Sequence, residues 1–302
     1  MKKPQFSFVI AVAPYRDAEV VQYIKALNYP GSRYEIIVKK GTNPSDNRNA
    51  GAKEAKGNII VFIDDDAVID KDYLSNVESF FKFHSEIDIV GGPQLTPKDE
   101  KGFAKISGFA LTSKFGSFNV ATRYKKSVLN LNAQETDLTS ANMACKRRVF
   151  NKIGFNPLLW PGEDPDFISQ AKKQDLKVAY SPDICVYHRR RPTLKALAKQ
   201  IYSYGLTRPA KEPFSETLKR PYFLVPSLFL LYLLFLAVGS FFSVSRIYYL
   251  PLILYALLSF YASLYSAVKE KSFISLFVLP IIFLTIHLSY GLGIIRGMLK
   301  KV

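Results

Sequence analysis

Residues 58–66 read Asn58-Ile59-Ile60-Val61-Phe62-Ile63-Asp64-Asp65-Asp66, an unbroken apolar run that ends directly in three carboxylates. A short continuous apolar run rich in β-branched and aromatic residues reads as a strand buried on both faces, as in parallel sheets covered by helices. Three adjacent carboxylates repel one another unless a cation or a hydrogen-bond donor sits among them. Strand side chains alternate, so Asp64 and Asp66 share one face and Asp65 points to the other. A hard divalent ion, Mg²⁺ or Mn²⁺, is the natural partner, with a diphosphate filling its remaining positions. A solvated acidic turn is the plainer alternative.

On either side of this run, strands and helices alternate. Residues 6–12 are a second continuous β-rich run, followed by a helix over 18–27 that Asn28-Tyr29-Pro30-Gly31 stops. A strand is predicted at 34–38, and a helix over 47–56 closed by Gly57. A helix over 73–83 and a strand at 87–91 follow. This order predicts a doubly wound, Rossmann-like α/β domain with its ligand site beyond the carboxyl ends of the strands. Lys2 and Lys3, the run at 6–12 and Ala11-Val12-Ala13 also mimic a cleavable signal peptide. The run is short, however, and Pro14-Tyr15-Arg16-Asp17 reads better as a loop after a strand. Cys145 and Cys185 are too few for a disulfide framework and sit in apolar runs, which suits a reducing compartment.

The 302 residues are 48% hydrophobic and carry 41 Lys+Arg against 25 Asp+Glu, a formal net charge of +16. The charge is unevenly spread. Residues 222–302 hold only Arg246, Lys269, Lys271, Arg296, Lys300 and Lys301 on the basic side and Glu270 on the acidic side. The hydrophobic content excludes a disordered chain, and the last third excludes a simple soluble protein. Three charge-free gaps exceed the roughly 20 residues that cross a bilayer core, which predicts spans near 222–238, 248–265 and 273–295. Pro226, Pro251 and Pro280 could kink them. Lys211, Lys219 and Arg220 before the first span and Lys269 and Lys271 after the second place the N-terminal domain in the cytoplasm. A third span leaves Arg296, Lys300 and Lys301 outside, against the same rule, so the last segment is either re-entrant or an exception. His287, within it, reads as a neutral histidine facing other helices.

Two further constellations carry chemistry. In Trp160-Pro161-Gly162-Glu163-Asp164-Pro165-Asp166-Phe167, Pro165 suits the first position of a helix and makes Asp164 its N-cap. The functional reading of Asp164 is a general base beside an aromatic wall at Trp160. In Tyr187-His188-Arg189-Arg190-Arg191-Pro192, the consecutive arginines suit a grip on phosphates, with attraction to a membrane surface as the simpler account. Residues 193–204 form an amphipathic helix, with Leu194, Leu197, Ile201 and Tyr204 on one face, suited to the membrane interface.

The ordered set of motifs resembles a membrane-anchored family 2 glycosyltransferase with the GT-A fold over nearly all of residues 5–210. The matching elements are the strand into Pro14-Tyr15, Arg48-Asn49-Ala50-Gly51, Phe62-Ile63-Asp64-Asp65-Asp66 and Gly91-Gly92-Pro93. Ser140-Ala141-Asn142-Met143, Gly162-Glu163-Asp164 and His188 follow in the expected order. The resemblance implies that the DxD element is Asp64 to Asp66, with Asp66 on the donor's metal and Asp64 toward the nucleoside. It implies that Asp164, with Glu163 beside it, is the catalytic base, and that His188 adds a metal or diphosphate contact. Pro14 and Tyr15 would line the nucleoside pocket, with Arg48 and Asp65 also on the donor. Asn142, Trp160, Arg189, Arg191 and Gln200 are expected at the acceptor or its phosphates.

Two departures bear on substrate. Lys39-Lys40-Gly41 stands where an acid often contacts the base, so a uracil nucleotide is not implied. Gln200-Ile201-Tyr202-Ser203-Tyr204 lacks the Arg-Trp pair of processive synthases, and no span precedes the catalytic domain in this sequence. The expectation is therefore an inverting enzyme that moves one sugar from a nucleotide-diphosphate donor to a lipid-linked or glycan acceptor, in cell-surface polysaccharide or glycan biosynthesis at the plasma membrane. The expected organisation is a cytoplasmic catalytic domain at 1–192, an interfacial helix and linker at 193–221, and a transmembrane domain at 222–302. Other readings are a processive polysaccharide synthase, a membrane-bound nucleotidyltransferase and a non-catalytic basic scaffold. The second lacks a Gly-rich phosphate loop, and the third leaves the carboxylates unexplained. The basic residues are not interleaved with aromatics in one stripe, so no nucleic-acid partner is expected.

Overall fold

A computed structural model describes residues 3–212, 214–242 and 245–300. Lys2 and Lys301, both used in the charge reading above, lie outside the described residues. The chain divides into two compact units: residues 1–98 with 122–189, and residues 99–121 with 190–302.

The first unit is built on a six-stranded mixed sheet. Along the chain it contains β1 (Phe6–Val12), α1 (Val20–Lys25), β2 (Tyr34–Lys40), α2 (Pro44–Glu54), β3 (Ile59–Ile63), β4 (Val68–Ile69), α3 (Tyr73–Phe83), β5 (Ile89–Gly91) and β6 (Gln94–Leu95). After the excursion into the other unit come β7 (Asn142–Lys146), α6 (Glu163–Lys173), β8 (Val178–Tyr180) and β9 (Val186–Tyr187). The sheet order is β2-β1-β3-β7-β5-β8, and β4-β9-β6 form a second, smaller sheet. Phe8, Ile10, Val61 and Ile63 are buried in one core layer, and Val9, Ile60 and Phe62 in the other. The continuous apolar runs thus reflect strands covered on both sides. The run at 6–12 is an internal strand, paired with β2 and β3, as the loop reading of residues 14–17 required.

The expected parallel order needs one amendment. β7 is antiparallel to both β3 and β5, so the sheet is mixed. Helix and strand limits also shift by a few residues. α2 starts at Pro44, three residues before the expected position, because the Asn43 side chain caps it by accepting from Ser45 N and Asp46 N.

The second unit is helical: α4 (Gly102–Thr112), α5 (Lys114–Ser117), α7 (Leu194–Lys211), α8 (Phe214–Leu218), α9 (Val225–Gly239), α10 (Leu250–Lys269) and α11 (Ser275–Lys300). Three segments among the described residues are long and apolar enough to cross a membrane: Val225–Phe242, Arg246–Lys269 and Ser275–Lys300. Pro226 and Pro251 sit in the first turns of α9 and α10, where no helical N–H is lost, so neither kinks its helix; Pro280 alone of the three lies inside one. His287 does face other helices. Its Nδ1 is 2.9 Å from Tyr255 Oη, and its Nε2 is 2.9 Å from the Phe115 carbonyl. The Phe115 ring also packs edge-on against Phe283. Residues 99–121 are thereby tied to the C-terminal helices, a grouping their own sequence did not announce.

Candidate active site

Chain pairing brings the acidic triplet and His188 together. Asp64, Asp65 and Asp66 fill the turn between β3 and β4. β4 pairs antiparallel with β9 in a register that sets Val68 opposite Tyr187 and Ile69 opposite Val186. The residue after Tyr187, His188, therefore arrives beside the residues before Val68. Its backbone N–H is fixed on the Leu95 carbonyl at 2.9 Å. Its Nε2 lies 3.1 Å from Asp66 Oδ1 and 3.7 Å from Asp64 Oδ2.

Among the described residues, Asp64, Asp66 and His188 each offer a ligand atom, all within 4.8 Å of one another. Asp66 Oδ1 is buried and accepts no well-aligned hydrogen bond, with His188 Nε2 as its near neighbour. An orphaned carboxylate oxygen in a ring of O and N ligands fits a divalent cation. Asp65 is not part of that group. It is 6% exposed, and its Oδ2 pairs with Arg16 Nε at 3.1 Å. Arg16 also reaches Asp66 Oδ2 at 2.7 Å.

Arg48 connects this cluster to the second one. It projects from α2, is 8% exposed, and holds Asp64 Oδ1 at 3.3 Å and Glu163 Oε1 at 2.9 Å. The rest of its motif explains its fixity. Asn49 donates to the Phe155 carbonyl and accepts from Phe155 N, and a Cβ at Gly51 would collide with Val9 on β1. The Arg48 guanidinium lies 5.5 Å from the Phe155 ring centre, and Phe155 stacks on Phe167 of α6 at 4.4 Å. One aromatic stack thus sets both the arginine and the helix start that carries Glu163 and Asp164.

The start of α6 differs from the sequence reading. Gly162, at φ 135°, occupies the cap position, so Glu163 and Asp164 are the first and second helical residues and Pro165 the third. Only glycine adopts that backbone readily, and this outweighs the proline preference for the first position. Asp164 is therefore not the N-cap. Glu163 is spent: Oε1 is on Arg48, and Oε2 accepts from Gly162 N at 2.9 Å. Asp164 Oδ1 is buried without a hydrogen-bond partner among the described residues.

The electrostatics follow from this crowding. Burial raises Glu163 to about 7, helped by neighbouring Asp164 and opposed by Arg48. Burial also raises Asp65 to about 6 and Asp64 above the usual carboxylate range. Burial would lift Asp66 too, but His188 and Arg16 hold it well below that range. Arg48 loses hydration, yet the charges of Asp164, Asp64 and Glu163 keep it firmly protonated. Five carboxylates gather around two guanidiniums here, a crowding of acids that favours a cation among them.

Other expected site residues separate into groups. Pro14 is exposed, Tyr15 is 88% exposed and Trp160 58%, all open to a ligand. Arg189 is exposed in the first unit; Arg191 and Gln200 belong to the second, where Gln200 donates to Tyr204 Oη at 3.0 Å. The Asn142 side chain is engaged within the fold. It is fully buried, accepts from Tyr73 Oη and donates to the Pro93 and Ile184 carbonyls, so it ties strands together. Lys39 pairs with Glu54, and Lys40 pairs with Asp17 at 3.1 Å. Arg16 was missed by the sequence reading. Its signal is a cation in the loop after the first strand, where the ligand side of such a sheet lies.

An α/β unit with an acidic cluster at a strand end, followed by helices long and apolar enough to cross a membrane, fits a transferase of the GT-A type. The family described as Glycosyl transferase family group 2 matches residues 59–290, and the chain belongs to it. No curated protein matches the chain. Among solved structures it is similar to the mannosyltransferase PcManGT from Pyrobaculum calidifontis in complex with GDP-Man and Mn²⁺. That likeness has 14% identity and a TM-score of 0.61, and covers 100% of this chain and 89% of the other. The 1–349 portion of S. aureus TarS, in complex with UDP-GlcNAc, is similar at 15% identity with a TM-score of 0.46, covering 92% and 90%.

Proposed function

We propose that this protein is an inverting glycosyltransferase that moves a single sugar from a nucleotide-diphosphate donor to a membrane-associated acceptor, with a polyprenyl-linked glycan as the favoured class. One observation carries the reading: of the two adjacent carboxylates at the start of α6, Glu163 is fully engaged while Asp164 keeps a buried oxygen bare. A carboxylate held rigidly and left without a donor is suited to accept a proton.

Asp64, Asp66 and His188 would hold Mg²⁺ or Mn²⁺. The ion, when bound, supplies positive charge for the diphosphate as it leaves. Pro14 and Tyr15 border the nucleoside, and Arg48 fixes the distance between the two acidic clusters. Asp164 takes the proton of the acceptor hydroxyl as that oxygen attacks the anomeric carbon. The bond from that carbon to the diphosphate breaks on the opposite face, and the nucleoside diphosphate departs with the electron pair. Trp160 offers an apolar wall to the acceptor sugar. Residues 1–192 act as the catalytic domain on the cytoplasmic side, 193–221 as the interfacial helix and linker, and 222–302 as the membrane domain, in the plasma membrane.

The test is to incubate purified protein with a panel of nucleotide sugars, Mn²⁺ and membrane lipid extract, following nucleoside diphosphate release. The reading predicts release from one donor class that stops when metal is chelated. No release from any donor, with lipid extract present, would contradict it.

A further inference from the structure

Hydropathy alone leaves α11 as either a third crossing or a segment that turns back. Its packing separates the two. α7 and α11 run in the same direction along a seam of glycines: a Cβ at Gly205 would collide with the Tyr290 carbonyl, at Gly293 with the Tyr202 carbonyl, and at Gly297 with the Leu206 carbonyl. Gly293 lies against Tyr202 and Leu206, and Gly297 against Leu206 and Pro209, so rising numbers on one helix meet rising numbers on the other. The last turns of α11 are thus level with Leu206 to Pro209, near the charged end of α7.

That end holds a buried ionic network. Arg208 pairs with Glu212 at 2.8 Å, Arg220 pairs with Glu212, and the Arg208 guanidinium lies 3.6 Å from the centre of the Phe223 ring. Phe223 stands two residues before α9. The first turn of α9 also touches α11 directly, with Ser227 Oγ donating to the Gly291 carbonyl at 3.1 Å. The end of α11 therefore lies beside the beginning of α9, among charges that belong to a headgroup layer rather than a hydrocarbon core.

We propose that α11 enters the bilayer without crossing it and that its last turns come back beside α7 on the cytoplasmic side, leaving α9 and α10 as a hairpin that crosses and returns. The hairpin's polar turn carries Arg246, and Tyr232 Oη donates to the Tyr248 carbonyl across it at 2.7 Å. Burial sets α11 apart from the hairpin: 39% of its window is buried in protein, against 17% for α9 and 11% for α10. Phe277, Ile281, Leu284, Leu292 and Leu299 are exposed at helical spacing and form one apolar stripe for the lipid. The charge rule agrees as well. With α11 folded back, Lys211, Lys219, Arg220, Lys269, Lys271, Arg296 and Lys300 share the cytoplasmic side, and Arg246 alone faces away.

The experiment is cysteine labelling of the full chain in intact and permeabilised cells with a membrane-impermeant maleimide. Lys53→Cys, Arg246→Cys and Lys300→Cys place the probe at three exposed positions, and the parent's buried Cys145 and Cys185 give the background. The expected result is labelling of Arg246→Cys in intact cells, with Lys53→Cys and Lys300→Cys labelled at least tenfold more after permeabilisation. Labelling of Lys300→Cys in intact cells would establish a third crossing and overturn the proposal. Protection of Arg246→Cys in intact cells would overturn it by removing the hairpin. Neither readout needs turnover, so the outcome stands apart from the reaction assigned above.

Discussion

Around Asp64, Asp65 and Asp66, the Arg16 and Arg48 guanidiniums and the His188 ring stand within 3.7 Å of carboxylate oxygens, and Asp66 Oδ1 accepts no well-aligned hydrogen bond. At Glu163 and Asp164, a short distance away through Arg48, one carboxylate is locked and its neighbour is bare. The same functional group is finished in two ways. In the function proposed above, the acids crowded around shared nitrogens are the place for a metal, and the acid beside an engaged neighbour is the base. Position relative to Arg48, more than sequence, separates the two roles.

The sharpest way to break this contrast is Asp164→Asn, which removes the base and keeps its shape. Turnover should fall by roughly 10²- to 10⁴-fold, the usual worth of a general base, with the folded state unchanged. Unchanged nucleoside diphosphate release would reduce Asp164 to a surface acid of the helix start. Arg48→Gln attacks the link itself. It leaves Asp64 and Glu163 buried without their cation, and should cost about 3–5 kcal/mol of stability. Thermal unfolding of the purified variant reads this, and a loss within about 1 kcal/mol would show that the clusters are independent.

Glu163 supplies a test through pH. Its folded value is raised from 4.5 to about 7, so it binds its proton more tightly folded than unfolded. The stability this contributes is complete below pH 4.5 and is lost as the pH rises through 7. Without metal, the melting temperature should decline over that window, and Glu163→Gln should flatten the decline. A smaller slope between 3.8 and 6 would remain from Asp65, which is raised in the same sense. An identical pH profile in Glu163→Gln would place the titration elsewhere. The smallest effect belongs to Arg16→Gln. Arg16 is 42% exposed on its side chain, so stability should change by less than about 1 kcal/mol. Freed from Arg16, Asp66 should bind Mn²⁺ a few-fold more tightly without donor, as calorimetry would show; weaker binding would make Arg16 a support of the site.

What could be read early was what neighbours in sequence determine. β3 and its carboxylates form one local pattern, and Asp64 and Asp66 converge as expected, although Arg16 also joins Asp65 to Asp66. His188 could be placed only by motif order, since its approach to Asp66 depends on β4 pairing with β9, more than a hundred residues apart. β7 gives no sign of its direction, because antiparallel and parallel buried strands look alike in composition. Asn142 was placed at the acceptor by motif order, and its side-chain amide is engaged by Tyr73 and by the Pro93 and Ile184 carbonyls. The start of α6 was misread because a proline preference was given more weight than the backbone freedom of Gly162. Residues 99–121 carry no motif at all, and only packing assigns them to the C-terminal helices.

The division of labour between the two clusters is tested most directly by calorimetric binding of donor nucleotide sugar, with and without Mn²⁺, to the parent, Asp66→Asn and Asp164→Asn proteins. The account predicts metal-dependent binding in the parent, the same binding in an inactive Asp164→Asn, and loss of the metal-dependent part in Asp66→Asn. Metal-dependent binding that survives Asp66→Asn, or disappears with Asp164→Asn, would contradict it.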